Sequence, residues 1–135
     1  MGKSEECDIC ESDKHPYASF CKRCKRLIGR VDTREKVDKE ARIEALKNAW
    51  DGKGFRCYYT GVRLIDNNHK APLYITFDHL IPRKGDKIVV TAAVVNDMKS
   101  DLSDREFRDF VIQLANHFKG GTFNEEVFKL EHWKR

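Results

Sequence analysis

The spacing of apolar positions changes character twice along the chain, and each change predicts a different element. Between residues 31 and 54, Ala41, Ala45, Leu46, Ala49 and Trp50 recur at helical intervals. Asp32 followed by Glu35 forms a capping-box pattern at the start, and Gly52 and Gly54 mark the stop. The charges in between alternate in sign, which predicts a helix with one broad solvated face. From Phe55 to Thr91 the rhythm becomes that of strands. Apolar and β-branched residues gather in FRCYYTG, LYITFDHLIP and KIVVT, interrupted by DNNHKAP and RKGDK. This predicts an antiparallel pair joined by a loop.

Helical spacing returns after Thr91, which is expected to cap a short helix over AAVVNDMKSD. Ser103 with Glu106 makes a second capping box, opening a helix whose apolar face reads Phe107, Phe110, Val111, Leu114 and Phe118. Gly120-Gly121 should end it. The closing stretch TFNEEVFKLEHWKR predicts a short helix packing Phe128 and Trp133. No internal repeat, low-complexity tract or long linker stands out. The chain divides into residues 1–30, a connecting helix over 31–54, a core over 55–118 and a last helix over 119–135, an α+β organisation.

With 135 residues there is room for one main core, and 40% hydrophobic residues with eight phenylalanines supply it, although 36% of the chain is charged. Disorder is therefore not the expected state. The formal charge of +4 favours a polyanionic partner. More telling is where the charge sits: CKRCKRLIGR, residues 21–30, carries five basic residues and no acidic one. No run approaches the roughly 18 apolar residues that span a bilayer, and the N-terminus lacks the apolar segment of a signal peptide. The expected setting is intracellular and cytoplasmic, with no membrane association.

In a reducing compartment the five cysteines do not suggest disulfides. Cys7 with Cys10 and Cys21 with Cys24 form two CxxC pairs ten residues apart, and each is expected to make a short knuckle. Four thiolates from two such knuckles can close a tetrahedral shell around a structural Zn²⁺, and a segment this short could hardly fold on apolar burial alone. His15 lies between the pairs but finds the shell already filled.

The remaining chemistry lies further along. Hydrolysis of a phosphodiester needs a base with a pKa near neutrality and a cation to neutralise charge on the phosphate and the leaving oxygen. His79 suits the first role. Asp78 and Asn96 offer hard oxygen ligands for Mg²⁺ or Mn²⁺, an ion that would keep several waters and take the rest of its shell from phosphate. As strand neighbours, Asp78 and His79 should point to opposite sides unless the strand ends there, which Pro82 and Gly85 favour.

The order of these residues resembles a known family. The stretch FDHLIPRKGDKIVVTAAVVNDMKSDLSDREF is similar to the HNH (ββα-metal) nucleases, whose pattern runs Asp-His, Pro, a Gly-containing loop, a middle Asn, then Asn-x-x-Lys-Gly/Ser-Asp and a helix. The resemblance covers about residues 55 to 110. It implies two strands and a helix around one divalent ion, with Asp78 and Asn96 as its ligands, His79 as general base and Lys99 near phosphate. The implied activity is a metal-dependent DNA endonuclease leaving 5′-phosphate and 3′-hydroxyl ends. The alternative is a zinc-dependent DNA-binding protein on an inactive nuclease fold; RNA or branched DNA is a further candidate substrate.

Two departures from the pattern are informative. Lys87 stands where the family has its middle Asn, a residue that braces the loop. The family's inner zinc knuckle corresponds to Cys57 with Thr60 and Ala92 with Val95, so three of four ligands are missing. The inner zinc is expected to be gone, with Cys57 a small buried residue in apolar packing. Duplex DNA would then be held through phosphates by Arg83, Lys84, Lys87 and Lys99, extended by Lys22, Arg23, Lys25, Arg26 and Arg30. Arg34, Lys36, Lys39 and Arg42 are weaker candidates. One such centre cuts one strand, so the protein is expected to act as a monomer or homodimer. His69, His117 and His132 read as surface or structural groups, and Tyr58 and Tyr59 as half-buried strand residues.

Overall fold

In the structure, a computed structural model, residues 5–14, 17–29, 38–80 and 87–124 are described. The capping box at Asp32 and Glu35, the last helix with Phe128, His132 and Trp133, and the candidate residues His15, Arg30, Arg34, Lys36, Pro82, Arg83, Lys84 and Gly85 lie outside them. Among the described residues there are four helices and one two-stranded antiparallel sheet, an α+β architecture. In chain order these are α1 (Lys22–Gly29), α2 (Asp38–Ala49), β1 (Ile75–His79), β2 (Ile88–Ala92), α3 (Ala93–Lys99) and α4 (Asp104–Phe118).

The register of the sheet sorts its side chains into two sets. Ile75 pairs with Ala92, Thr76 with Thr91, Phe77 with Val90, Asp78 with Val89 and His79 with Ile88. Because strand side chains alternate, Ile75, Phe77, His79, Ile88, Val90 and Ala92 fall on one face while Thr76, Asp78, Val89 and Thr91 fall on the other. The apolar face meets α2, whose Ala45 and Leu46 are buried. The polar face receives α3. Helix α1 packs in turn on α2 through its buried Leu27 and Ile28, so the first segment joins the same core.

The FRCYYTG segment departs from expectation. It forms no strand but a tight hairpin, bridged between Arg56 and Arg63 and turning at Gly61 with φ +74°. Gly61 supplies the left-handed conformation that such a turn needs. The hairpin still serves the sheet, since the Tyr58 N–H donates to the Val90 carbonyl at 2.8 Å along the open edge of β2.

Thr91 does not cap α3 either. β2 runs on through Ala92 and turns straight into the helix, while the buried Thr91 hydroxyl meets Thr76 Oγ1 across the sheet at 3.1 Å. The first free N–H groups of α3 are satisfied by carbonyls instead, Ala93 by Tyr74 and Val94 by Pro72. At the other end of α3, Ser100 takes φ +49° with ψ −126°, outside the left-handed helical well, which costs a non-glycine residue about 2 kcal/mol. Ser100→Gly is expected to stabilise the protein by about 1 kcal/mol after glycine's own entropic cost, raising the thermal midpoint by a few degrees.

The Ser103–Glu106 box opens α4 as its sequence predicts: the Glu106 N–H donates to Ser103 Oγ at 3.2 Å, and the Ser103 N–H to Glu106 Oε1 at 2.9 Å. Its apolar face is covered only near that end. Phe107 is buried and Val111 packs against the core, whereas Phe118 is 75% exposed. Among the described residues no helix is long and apolar enough to cross a membrane.

Candidate functional site

Two clusters carry chemistry. The first is the set of four cysteines, all buried, whose sulfurs lie within 4.8 Å of one another. Cys10 and Cys21 Sγ are 3.6 Å apart. A tetrahedral zinc with Zn–S bonds of about 2.3 Å spaces its sulfurs by about 3.8 Å, so this donor set fits such an ion in both chemistry and size. Burial works against a thiolate at Cys21, but the Cys24 N–H, the Ser12 hydroxyl and the Cys10 and Cys24 thiols more than offset it and bring Cys21 down to about 6. Cys24 moves the other way, pushed far up by burial and by the other three sulfurs. Without a cation the cluster cannot hold four negative charges, and a bound dication would remove that conflict.

The knuckle that presents Cys7 and Cys10 has a counterpart fifty residues on. Glu6 bridges Asp13 as Arg56 bridges Arg63. The Cys7 N–H donates to Ser12 O at 2.8 Å and the Cys57 N–H to Val62 O at 2.9 Å; Glu11 N returns to Cys7 O as Gly61 N returns to Cys57 O. Even the turn conformation repeats, with φ +61° at Glu11 and +74° at Gly61. Each hairpin also has a helix whose start carries the second pair of positions. Cys21 immediately precedes α1, in which Cys24 lies; Ala92 immediately precedes α3, in which Val95 lies. In the core the Ala92 N–H points at Cys57 Sγ, 3.4 Å away, and Cys57, Ala92 and Val95 are all buried. Thr60 is exposed, its hydroxyl accepting from the Val62 N–H of its own turn. The repeat is one of geometry, and the sequence betrays it only in a single shared cysteine.

The second cluster lies on the polar face of the sheet. Helical spacing puts Asn96 and Lys99 on one side of α3, and that side meets β1. The Asn96 amide donates to Thr76 Oγ1 and to the Phe77 carbonyl, each at 3.2 Å, which uses both its N–H groups and leaves its oxygen as the remaining polar atom. Lys99 has 0% of its side chain exposed, and its Nζ lies 3.1 Å from Asp78 Oδ2 and donates to the His79 carbonyl at 3.0 Å. Asp78 is 11% exposed. The Asp78–Lys99 contact is a buried ion pair. Burial lifts the Asp78 carboxyl above its ordinary range, while attraction from Lys99 and His79 draws it partly back. His79 is the last residue of β1 and is half-buried. Behind the strand, the Arg42 guanidinium of α2 lies 4.7 Å above the Phe77 ring.

The basic residues separate into engaged and open sets. Lys99 is inside the fold, whereas a phosphate contact requires a solvent-facing cation. Arg23 Nε and Arg26 Nη2 lie 3.6 and 3.7 Å from one oxygen of Asp66. Lys22, Lys25 and Lys87 are exposed. The Lys87 carbonyl accepts from the Leu80 N–H at 3.2 Å. Thr76, Asp66 and Asp104 were not among the sequence candidates. Thr76 orients Asn96, Asp66 collects two arginines, and Asp104 accepts from the Tyr59 hydroxyl at 2.7 Å. The Thr76–Thr91 pairing was the one signal available for any of them, and it depends on knowing the register.

No protein-family model matches the chain, and no curated protein or solved structure matches it.

Proposed function

We propose that this protein is a metal-dependent DNA endonuclease, with His79 as general base, Asp78 and Asn96 holding one Mg²⁺ or Mn²⁺, and the N-terminal cysteines holding a structural Zn²⁺. The observation that carries the reading is the docking of α3 on β1, which brings the Asn96 amide to the carbonyl of Phe77, one residue before Asp78. Antiparallel strands followed by a helix, with Asp-His ending the first strand and Asn on the helix, are also what the HNH resemblance implies. Asp78 Oδ2 faces the Lys99 ammonium at 3.1 Å, and its carboxylate is a hard oxygen donor of the kind such a cation takes. Among the described residues the cysteine cluster is the one group of three or more His, Cys, Asp or Glu side chains close enough to hold an ion, so an ion at Asp78 and Asn96 would draw further ligands from water and phosphate.

In this reading His79 takes a proton from a water whose oxygen forms the new bond to phosphorus. The bond from phosphorus to the 3′ oxygen then breaks, leaving a 5′-phosphate and, after protonation, a 3′-hydroxyl. The divalent ion supplies charge neutralisation at the phosphate and the leaving oxygen. Lys99 is a positioning residue, holding the Asp78 carboxylate and the His79 backbone together from inside. Lys22, Lys25 and Lys87 remain as candidate phosphate contacts, together with Arg83 and Lys84. Supercoiled plasmid is expected to be nicked in Mg²⁺ or Mn²⁺ and left intact in EDTA or with His79→Ala. Undiminished cleavage by His79→Ala would remove the base assignment. DNA binding without nicking in any divalent ion would favour the inactive, zinc-dependent binding protein.

A further inference from the structure

Arg23 lies between the cysteine site and the Trp50–Phe55 pair. It lies in α1 between Cys21 and Cys24, yet its guanidinium carbon is 5.6 Å from the centre of the Phe55 ring and 5.9 Å from that of Trp50. Those rings pack on each other with centroids 5.1 Å apart. Its Nε lies 3.6 Å from Asp66 Oδ2, an oxygen also approached by Arg26. A side chain carried between two of the four cysteines therefore faces a carboxylate of the following segment and the aromatic pair that joins α2 to the 56–63 hairpin. The Trp50 indole N–H is buried without a hydrogen-bond partner among the described residues. Its ring is positioned by contacts with Phe55 and Arg23.

We infer that Arg23 couples the cysteine site to the core, so that metal loading at Cys7, Cys10, Cys21 and Cys24 seats α1 against Trp50 and Phe55. Four thiolates around a dication carry a net charge of about −2, and a cation on the residue next to Cys24 is drawn toward the loaded site. Arg23 meets that requirement with a flat, delocalised guanidinium that stacks on aromatic rings as it pairs with anions, which a lysine ammonium cannot do. Metal loading then fixes Arg23, and Arg23 fixes the indole. The inference concerns the cysteine site alone and stands whether or not the chain cleaves DNA.

The test uses the full chain with Trp133→Phe, leaving Trp50 as the sole indole. Adding Zn²⁺ to the reduced, metal-free protein is expected to shift Trp50 emission and protect it from acrylamide, and a chelator should reverse both. Arg23→Gln should retain the visible bands of Co²⁺ bound by four thiolates while losing the Trp50 response to Zn²⁺. Arg23→Lys should respond only in part. Asp66→Asn, which holds Arg23 from the core side and touches no cysteine, should weaken the response with Co²⁺ binding intact, and it decides the matter if Arg23→Gln fails to fold. A Trp50 signal indifferent to Zn²⁺ in the parent would overturn the inference. So would a full response in Asp66→Asn, or in an Arg23→Gln protein that still binds Co²⁺.

Discussion

Lys99→Met is expected to lower the unfolding free energy by about 3–5 kcal/mol, the usual cost of stripping one partner from a buried ion pair. Lys99 is wholly enclosed and Asp78 nearly so. Without the ammonium, the carboxylate stays in the seam between β1 and α3 with no compensating charge, and the His79 carbonyl loses its donor. The cost therefore comes mainly from the charge left behind. Two checks separate that cause from lost packing. Removing both charges in Lys99→Met with Asp78→Leu should recover much of the loss in urea unfolding, because an apolar pair carries no desolvation penalty.

Acidity gives the second check. Burial already raises the Asp78 carboxyl, and losing Lys99 should raise it further. A carboxyl raised in the folded state destabilises the protein above its unfolded value, about 3.9, and that deficit fades as pH falls toward it. The gap between variant and parent should thus narrow in acid. A single variant within about 1 kcal/mol of the parent at neutral pH would contradict the enclosed ion pair.

The fate of Lys99 also shows what could be read before the fold was known. Asn96 and Lys99, three residues apart, fall on one helical face, so their common direction was legible. Burial was not, since lysine is almost never enclosed unless paired and nothing local names Asp78 as its partner. The Ser103–Glu106 box was legible because capping chemistry is local and both bonds lie within four residues. Thr91 misled for the opposite reason: a hydroxyl before a helix reads as a cap, but here the cross-strand Thr76 takes it.

The first basic run teaches the same lesson. Cys24 lies inside a helix and not a second free knuckle, and the helix turns Arg23 and Arg26 toward Asp66 and Lys22 and Lys25 away from it, with Arg26 as exposed as the lysines. Four adjacent charges that look equivalent in sequence are thereby divided by a period of 3.6 residues. The 56–63 hairpin, with apolar and aromatic residues of strand type, hid its likeness to 6–13 because the turn is set by backbone bonds that many sequences can make.

That likeness makes the largest contrast in the molecule testable. Cys10→Ser and Cys57→Ala each alter a buried cysteine held by nearly the same backbone turn, yet their consequences should differ by many kcal/mol. A structural zinc site contributes about 10–16 kcal/mol of apparent binding free energy, and losing a ligand forfeits most of it where little else orders the segment. Cys10→Ser should therefore abolish the Co²⁺ spectrum and speed amide exchange across residues 5–29. Cys57 accepts one weak bond, from the Ala92 N–H, and its surroundings are packed by Ala92 and Val95. Its replacement should cost only about 1–2 kcal/mol, with exchange in 75–99 nearly unchanged. Equal protection of residues 5–29 in Cys10→Ser and the parent would mean that apolar contacts such as Leu27 and Ile28 hold the first segment unaided. The opposite result would show that the same hairpin is kept closed by coordination in one place and by burial in the other.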